Sequence, residues 1–107
     1  MIQISTELDE EIPRWDVALE SLLNEEHQKL GRALRIDDFH HLAGRHAIRF
    51  DDIMATLFEL VLNGNWRYAD PDDPQPLTRD RVDRLYINGR LDPVDVREFR
   101  GEWSRNG

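Results

Sequence analysis

Apolar residues recur every three or four positions through the first third of the chain and predict a long amphipathic helix. Spacing near 3.6 residues places such side chains on one helix face. Pro13 suits a first helical turn, and the carboxylates of residues 9–11 favour the positive end of the helix dipole. We therefore predict a helix that begins near Pro13 and runs to about Leu34, with Gly31 weakening its last turn. Its apolar stripe comprises Ile12, Trp15, Leu19, Leu22, Leu23, Leu30 and Leu34.

A shorter helix is predicted next, between residues 37 and 43. Asp37 or Asp38 can cap its start with a carboxylate. Glycine tolerates the left-handed backbone that ends many helices, so Gly44 is the expected stop.

Another short helix is predicted over residues 52–62. Asp51 is the expected cap, and Phe50 before it can pack onto the first turn as a hydrophobic staple. The Asn63–Gly64 pair is a strong stop signal.

The corner between these two helices resembles the helix-turn-helix pattern. Ala43, Ile48 and Ile53 follow one another at intervals of five residues. In that motif a small residue of the first helix, an apolar residue of the turn and an apolar residue of the second helix pack together. The resemblance covers residues 38–62, about a quarter of the chain, and implies that the second helix would enter the DNA major groove.

The segment after this motif occupies the place of the hairpin in a winged-helix protein. Trp66 and Tyr68 alternate with polar neighbours, as in one short strand, and a loop rich in proline and aspartate follows. No second alternating strand follows at hairpin distance. Whether residues 65–77 form a wing is therefore left open.

The last third of the chain predicts two capped helices. Leu77 and Thr78 are the expected staple and cap of the first helix. Asn88–Gly89 is expected to end this helix. The alternative is that Asn88–Gly89 forms the turn of a hairpin between residues 85–87 and 90–91. Asp92–Pro93 is a cap followed by proline at the first helical position. The face of this last helix is marked by Val96, Phe99 and Trp103. The pair of helices resembles the short paired helices of SHOCT domains.

These elements predict one domain over residues 1–107. Its fold class is all-α, or mainly α with a minimal wing, with about five helices around the central helix-turn-helix. We expect the core to contain Trp15, Leu19, Leu22, Leu30, Phe39, Leu42, Ile48, Ile53, Leu57, Leu60, Val61, Leu85, Val96, Phe99 and Trp103.

Composition narrows the setting in which the domain works. The chain contains no cysteine, which excludes a disulfide framework and thiolate chemistry. No apolar run approaches the roughly 20 residues that span a bilayer, and the acidic start is unlike a secretory signal. We therefore expect a soluble, cytoplasmic protein of bacterial type.

Histidines and aspartates crowd between residues 37 and 52 and raise the question of a metal site. Imidazole and carboxylate ligands suit zinc. His40 and His41 are adjacent, so on a helix they point about a hundred degrees apart, and no HExxH spacing is present. Helix capping and solvent exposure account for these residues. Since no nucleophile motif or glycine-rich phosphate loop occurs either, we predict no bound metal, no cofactor and no enzyme activity.

The net charge of −8 bears on DNA binding, which depends on neutralising phosphates. The second motif helix would present Asp51 and Asp52, with Met54, Ala55 and Thr56 among its exposed positions. Arginines beside the motif and the loop are the candidate nucleic-acid contacts: Arg45, Arg49, Arg67, Arg79, Arg81 and Arg84.

Aromatic residues in the second half suggest an interface with another protein. Trp66, Tyr68, Tyr86 and Trp103 are of a type enriched at interfaces, although both tryptophans can also fill the core. We therefore predict a small non-catalytic regulatory or adaptor domain that binds a protein, with a second copy of itself as one option. The alternative is a winged-helix-like transcriptional regulator. An adaptor needs an exposed apolar patch of several hundred Å², whereas a regulator needs a contiguous arginine patch.

Overall fold

The computed structural model describes residues 16–73, 75–87, 90–91, 96 and 98–106. The predicted helix start at Pro13, the burial of Trp15 and the predicted cap at Asp92–Pro93 lie outside these residues.

The first helix, α1, spans Val17–Leu30. The Asp16 carboxylate caps it by accepting hydrogen bonds from the backbone N–H groups of Ala18, at 2.8 Å, and Leu19, at 3.2 Å. Gly31 takes up the left-handed conformation, with φ of 65°, and ends the helix. The predicted continuation to Leu34 is wrong, because Gly31 stops the helix instead of only weakening its last turn.

The two helices of the motif are longer than predicted. Helix α2 spans Ile36–His46 and passes through Gly44, and a non-glycine residue, Ala47, takes the left-handed conformation that ends it. Asp38 acts from inside the first turn, where its carboxylate accepts the Arg35 N–H at 2.9 Å. Helix α3 spans Phe50–Leu62 and follows Arg49 at its N-cap position. The predicted cap at Asp51 is therefore wrong, because Phe50 and Asp51 both lie inside the first turn.

The corner between α2 and α3 packs on the central core. Ile53 is fully buried, and Ala43 and Ile48 are partly buried against the same cluster. The three positions that carry the helix-turn-helix resemblance therefore all contribute apolar surface to the core.

A small antiparallel sheet covers the other side of α3. Strand β1, Trp66–Ala69, pairs with the last strand, Glu102–Arg105, so that Tyr68 lies opposite Trp103. Leu34, between α1 and α2, forms a bridge to the other edge of that last strand. Its N–H donates to the Trp103 carbonyl at 2.7 Å, and it accepts the Trp103 N–H at 2.8 Å. The last strand therefore lies between Leu34 and β1.

Residues between these two strands form a short helix and a hairpin. Helix α4 spans Arg79–Asp83, and the Thr78 hydroxyl caps it by accepting the Arg81 N–H at 3.2 Å. Strands β2, Tyr86–Ile87, and β3, Arg90–Leu91, then pair antiparallel. The cap at Thr78 is confirmed. The longer helix predicted to end at Asn88–Gly89 is wrong, and the alternative of a hairpin between residues 85–87 and 90–91 is confirmed. The strand at Glu102–Arg105 is accordingly β4.

The predicted all-α fold of about five helices is wrong. The described residues form four helices and two small antiparallel sheets, a mixed α/β arrangement. The error lies mainly at Trp103, which we placed on a helix face with Val96 and Phe99. Its spacing of four from Phe99 fits a helix, but its backbone pairs with Leu34 and Tyr68, which are distant in the sequence.

The core joins α1, α2 and α3 to the inner face of the β1–β4 sheet. Leu30 is 38% exposed, contrary to our expectation, because it lies at the end of α1. Leu22, Ile48, Val61 and Leu85 are only partly buried. Several buried residues were not in the expected core: Leu23, Leu34, Met54, Phe58, Trp66, Val82 and Leu91.

Candidate functional site

Two of the four aromatic residues that we expected at an interface are in the core. Trp66 and Trp103 are 1% and 0% exposed. Trp103 packs edge-on against Phe39 and Phe58, and Trp66 makes an edge contact with His27. The pairing of β1 with β4 turns both tryptophans toward the helices, so neither can contact a partner.

The two tyrosines are partly buried and have different surroundings. The Tyr68 hydroxyl accepts the Gly101 N–H at 2.9 Å and donates to the Asp70 carboxylate at 3.4 Å. Burial raises the pKa of both Tyr68 and Tyr86 above the usual value. Tyr68 therefore holds the Gly101 turn in place, whereas Tyr86 lies beside the helices α1 and α3.

Most of the candidate nucleic-acid contacts are engaged with carboxylates of the same chain. Arg79 makes a two-pronged ion pair with Glu59 at 2.5 and 2.9 Å. The other pairs are Arg45 with Glu26 at 3.4 Å, Arg49 with Asp51 at 3.5 Å and Arg81 with Asp73 at 2.6 Å. Of the remaining two, Arg67 donates to the Ser104 hydroxyl at 3.1 Å, and Arg84 is exposed.

The start of α3, which would read DNA, is acidic at its surface. Asp51 forms an ion pair with Arg49 and accepts a hydrogen bond from Arg90 at 2.5 Å, and Asp52 is exposed. Met54 and Thr56, which we expected to be exposed, are 0% and 4% exposed because they face the core. The accessible part of this helix therefore carries few groups that would approach phosphates or base edges favourably.

Two further ion pairs involve arginines that we did not single out in the sequence. As for the other pairs, sequence spacing does not identify the partners. Arg32 donates to both oxygens of the Asp38 carboxylate, at 2.9 and 3.0 Å. The hydrogen bond from Arg32 lowers the pKa of Asp38, although partial burial acts in the opposite direction. Arg35 pairs with Glu102 at 2.7 Å and so connects α2 to β4.

The histidines and aspartates between residues 37 and 52 do not converge. His40 stacks on Phe50 with ring centroids 3.9 Å apart, while Asp38 and Asp51 are held by arginines. Within the part of the chain that the structure describes, no group of three or more such side chains could hold a metal ion.

A groove lies between α1 and α3, and we call it the α1–α3 groove. Its volume is about 780 Å³, and it is open to solvent. The groove is lined by Asp16, Ala18, Leu19, Ser21, Leu22, Glu25, Ile48, Asp52, Ala55, Thr56, Glu59 and Tyr86. Leu22, Ile48 and Ala55 are each partly exposed and form an apolar floor.

Carboxylates surround this floor. Asp16, Glu25 and Asp52 are exposed, and Glu59 is held by Arg79. No lysine, arginine or histidine is among the lining residues that the structure describes. Among its described lining residues, the α1–α3 groove therefore combines apolar surface with a net negative charge.

Sequence reasoning missed this groove. We expected Leu22 and Ile48 in the core, considered Ala55 only as an exposed position of the second motif helix and did not single out Ala18. The available signal was the small size of these two alanines on predicted helix faces, since small side chains leave space between packed helices.

Comparison with known proteins gives no relative from which a function could be transferred. No family model, no curated protein and no solved structure matches the chain. None of the described helices combines the length and the apolar character needed to cross a membrane.

Proposed function

We propose that this chain is a small non-catalytic regulatory or adaptor domain, which binds a segment of another protein in the α1–α3 groove. The observation that carries the proposal is the apolar floor left partly exposed between two well-packed helices. A groove between helices is a common docking site for an amphipathic segment, because side chains of the partner can bury themselves on the floor. The cysteine-free composition supports a cytoplasmic location as part of the same proposal.

The chemistry of the groove supports binding better than catalysis. Ser21 is exposed, and no histidine that could act as its base is among the described lining residues. Asp16, Glu25 and Asp52 are all exposed to solvent, so none of them lies in the water-excluded surroundings that are typical of a catalytic carboxylate.

A selection of random peptides on the full chain tests this proposal. Peptides recovered on the wild type should lose binding to Leu22→Asn, which makes the floor polar without adding charge. The matched control is Leu30→Asn, the same change in the same helix at an exposed leucine outside the groove. If Leu22→Asn fails to fold by circular dichroism, Ala18→Asn at an exposed groove position replaces it. Selected peptides that bind both groove variants as well as the wild type would refute the proposal.

A winged-helix-like transcriptional regulator is the second candidate, and the sheet favours it. Strand β1 follows α3 directly and pairs with β4, as the strands of a wing would, with residues 70–101 inserted between them. The ion pairs of Arg45, Arg49, Arg79 and Arg81 count against it, because each arginine is already neutralised within the chain.

Fluorescence anisotropy with labelled random duplex DNA separates the two candidates. We expect no binding even at low salt, because the accessible face of α3 is acidic. Binding at low salt that weakens steeply as salt is added would instead support the regulator, since such dependence reports the release of counterions from phosphates.

A further inference from the structure

We infer that the segment bound in the α1–α3 groove is a short basic amphipathic helix, an inference that rests on the proposed function. Three properties of the groove define this ligand: the sign of its charge, the length of its walls and the shape of its floor.

The charge of the groove selects a basic ligand. Asp16, Glu25 and Asp52 are exposed carboxylates with no basic side chain among the described lining residues. Elsewhere in the described chain, the carboxylates of Asp38, Asp51, Asp73 and Glu102 are paired with arginines. Asp16 accepts the hydrogen bonds that cap α1, whereas no ion pair within the described residues involves Glu25 or Asp52. Lysine or arginine on a partner would therefore meet negative charge chiefly at Glu25 and Asp52, which favours both encounter and orientation.

The walls of the groove match a helix of about three turns. On α1 the lining residues run from Asp16 to Glu25, and on α3 from Asp52 to Glu59. At 1.5 Å per residue, the α1 wall is about 14 Å long, the length of a helix of roughly ten residues. Glu25 and Asp52 lie at one end of each wall, while at the other ends Asp16 caps α1 and Glu59 is paired with Arg79. Basic residues of the ligand are therefore expected opposite Glu25 and Asp52, and a peptide with basic residues near both ends can meet them in either orientation.

The floor is suited to aliphatic side chains. Ala18 and Ala55 are small, so the ligand backbone can approach closely, while Leu22 and Ile48 offer aliphatic contact surface. A ligand helix would reach this floor with apolar residues at positions i, i+3, i+4 and i+7, which share one helix face.

A second copy of this chain is disfavoured as the occupant. The chain carries a net charge of −8, and self-association through the groove would bring acidic surfaces together. The dimer that composition left open would therefore have to use another surface.

Three synthetic peptides of about ten residues, the length of the α1 wall, test the inference by anisotropy with the full chain. The first is an amphipathic helix with one apolar face and with lysine or arginine near both ends. In the second every lysine and arginine is replaced by glutamate. The third has the composition of the first in a scrambled order that destroys the apolar face. Only the first should bind, and its affinity should fall as salt rises.

Variants of the chain identify the carboxylates. The double change Glu25→Gln with Asp52→Asn should weaken the first peptide about fivefold, since exposed charge pairs contribute modestly. Asp37→Asn with Asp72→Asn removes the same charge at exposed positions that do not line the groove, and should leave the affinity unchanged.

The outcomes distinguish a failure of the inferred basic helix from a failure of the proposed function. Equal binding of the acidic or the scrambled peptide would overturn the inference of a basic helix. If none of the three binds while peptides from the random selection still require Leu22, the inference is wrong and the proposed function stands. If the selection also recovers no peptide that requires Leu22, both are wrong.

Discussion

Asp38 shows how a single carboxylate can fix the connection between two helices. It lies in the first turn of α2. Its carboxylate accepts hydrogen bonds from the two terminal guanidinium nitrogens of Arg32 and, at 2.9 Å, from the backbone N–H of Arg35. Leu34, between these two arginines, is the residue that bridges to β4. Asp38 therefore fixes the connection from α1 to α2 in the conformation that allows the sheet to form.

We predict that Asp38→Asn lowers the free energy of unfolding by about 1–2 kcal/mol at neutral pH, because charge-assisted hydrogen bonds are lost. The pKa of Asp38 is lowered in the folded chain, so its stabilisation is complete above the unfolded pKa and is lost as pH falls through the folded pKa. Below about pH 4 the wild type should therefore lose stability more steeply than the variant. Urea denaturation as a function of pH measures both slopes. Asp37→Asn, at the exposed neighbour, is the control, and an equal loss there would contradict the assignment.

Gly101 is a second residue whose role follows from local geometry. A Cβ atom at this position would overlap the Ala69 carbonyl oxygen and lie 2.8 Å from Asp70 Cβ. We predict that Gly101→Ala lowers the free energy of unfolding by about 3 kcal/mol, as overpacking against backbone does. Gly44→Ala is the opposite case, since Gly44 lies within α2 with nothing near its added Cβ, and it should stabilise the chain by about 0.5–1 kcal/mol. Two changes of the same sign in thermal or urea unfolding would refute this account.

At the scale of elements, β4 connects parts of the fold that are distant in the sequence. It lies between Leu34 and β1, and so joins the α1–α2 connection to the strand that follows α3. Arg35 and Glu102 strengthen the same junction at the surface. Strand β4 also contributes Trp103 to the core, where it packs against Phe39 of α2 and Phe58 of α3.

We predict that Ser104→Pro largely prevents folding. The N–H and C=O groups of Trp103 are directed to Leu34, so by the alternation of an antiparallel strand the N–H of Ser104 is directed to β1. Proline removes that donor from a strand with a partner on each side, a position in which proline is essentially not tolerated. Ser104→Thr keeps the hydroxyl and favours a strand, and it should retain the wild-type stability. Circular dichroism during heating compares the two, and a folded proline variant would contradict the central position of β4.

The sequence was informative for local features of these elements and uninformative for distant pairings. The Thr78 cap, the strand at Trp66 and the core positions Leu42, Ile53 and Leu57 follow from spacing and capping chemistry, which are local. Trp103 was assigned to a helix because it follows Phe99 by four residues, which is a helical spacing. Its strand partners, Leu34 and Tyr68, are far away in the sequence and could not be identified from local spacing. The α1–α3 groove depends on how two helices pack, so neither helix predicts it alone.

At the scale of the whole molecule, the ion pairs determine which carboxylates are neutralised and which remain free to attract a charged ligand. Arginines are numerous, but Arg32, Arg35, Arg79 and Arg90 each lie against a carboxylate of another segment. Exposed pairs of this kind stabilise a fold only modestly. They do cancel charge locally, and the α1–α3 groove is left with carboxylates that have no such partner among the described lining residues.

The most direct test of the proposed function is to locate the bound ligand by NMR. The ¹⁵N-labelled chain is titrated in parallel with the most enriched peptide from the selection and with a short DNA duplex. We predict that the peptide shifts the amide signals of Ala18, Leu22, Ile48 and Ala55, and that DNA shifts none at low salt. Shifts produced by DNA at Arg45, Arg49 and Arg67, with no effect of the peptide on the groove signals, would contradict the account and favour the regulator.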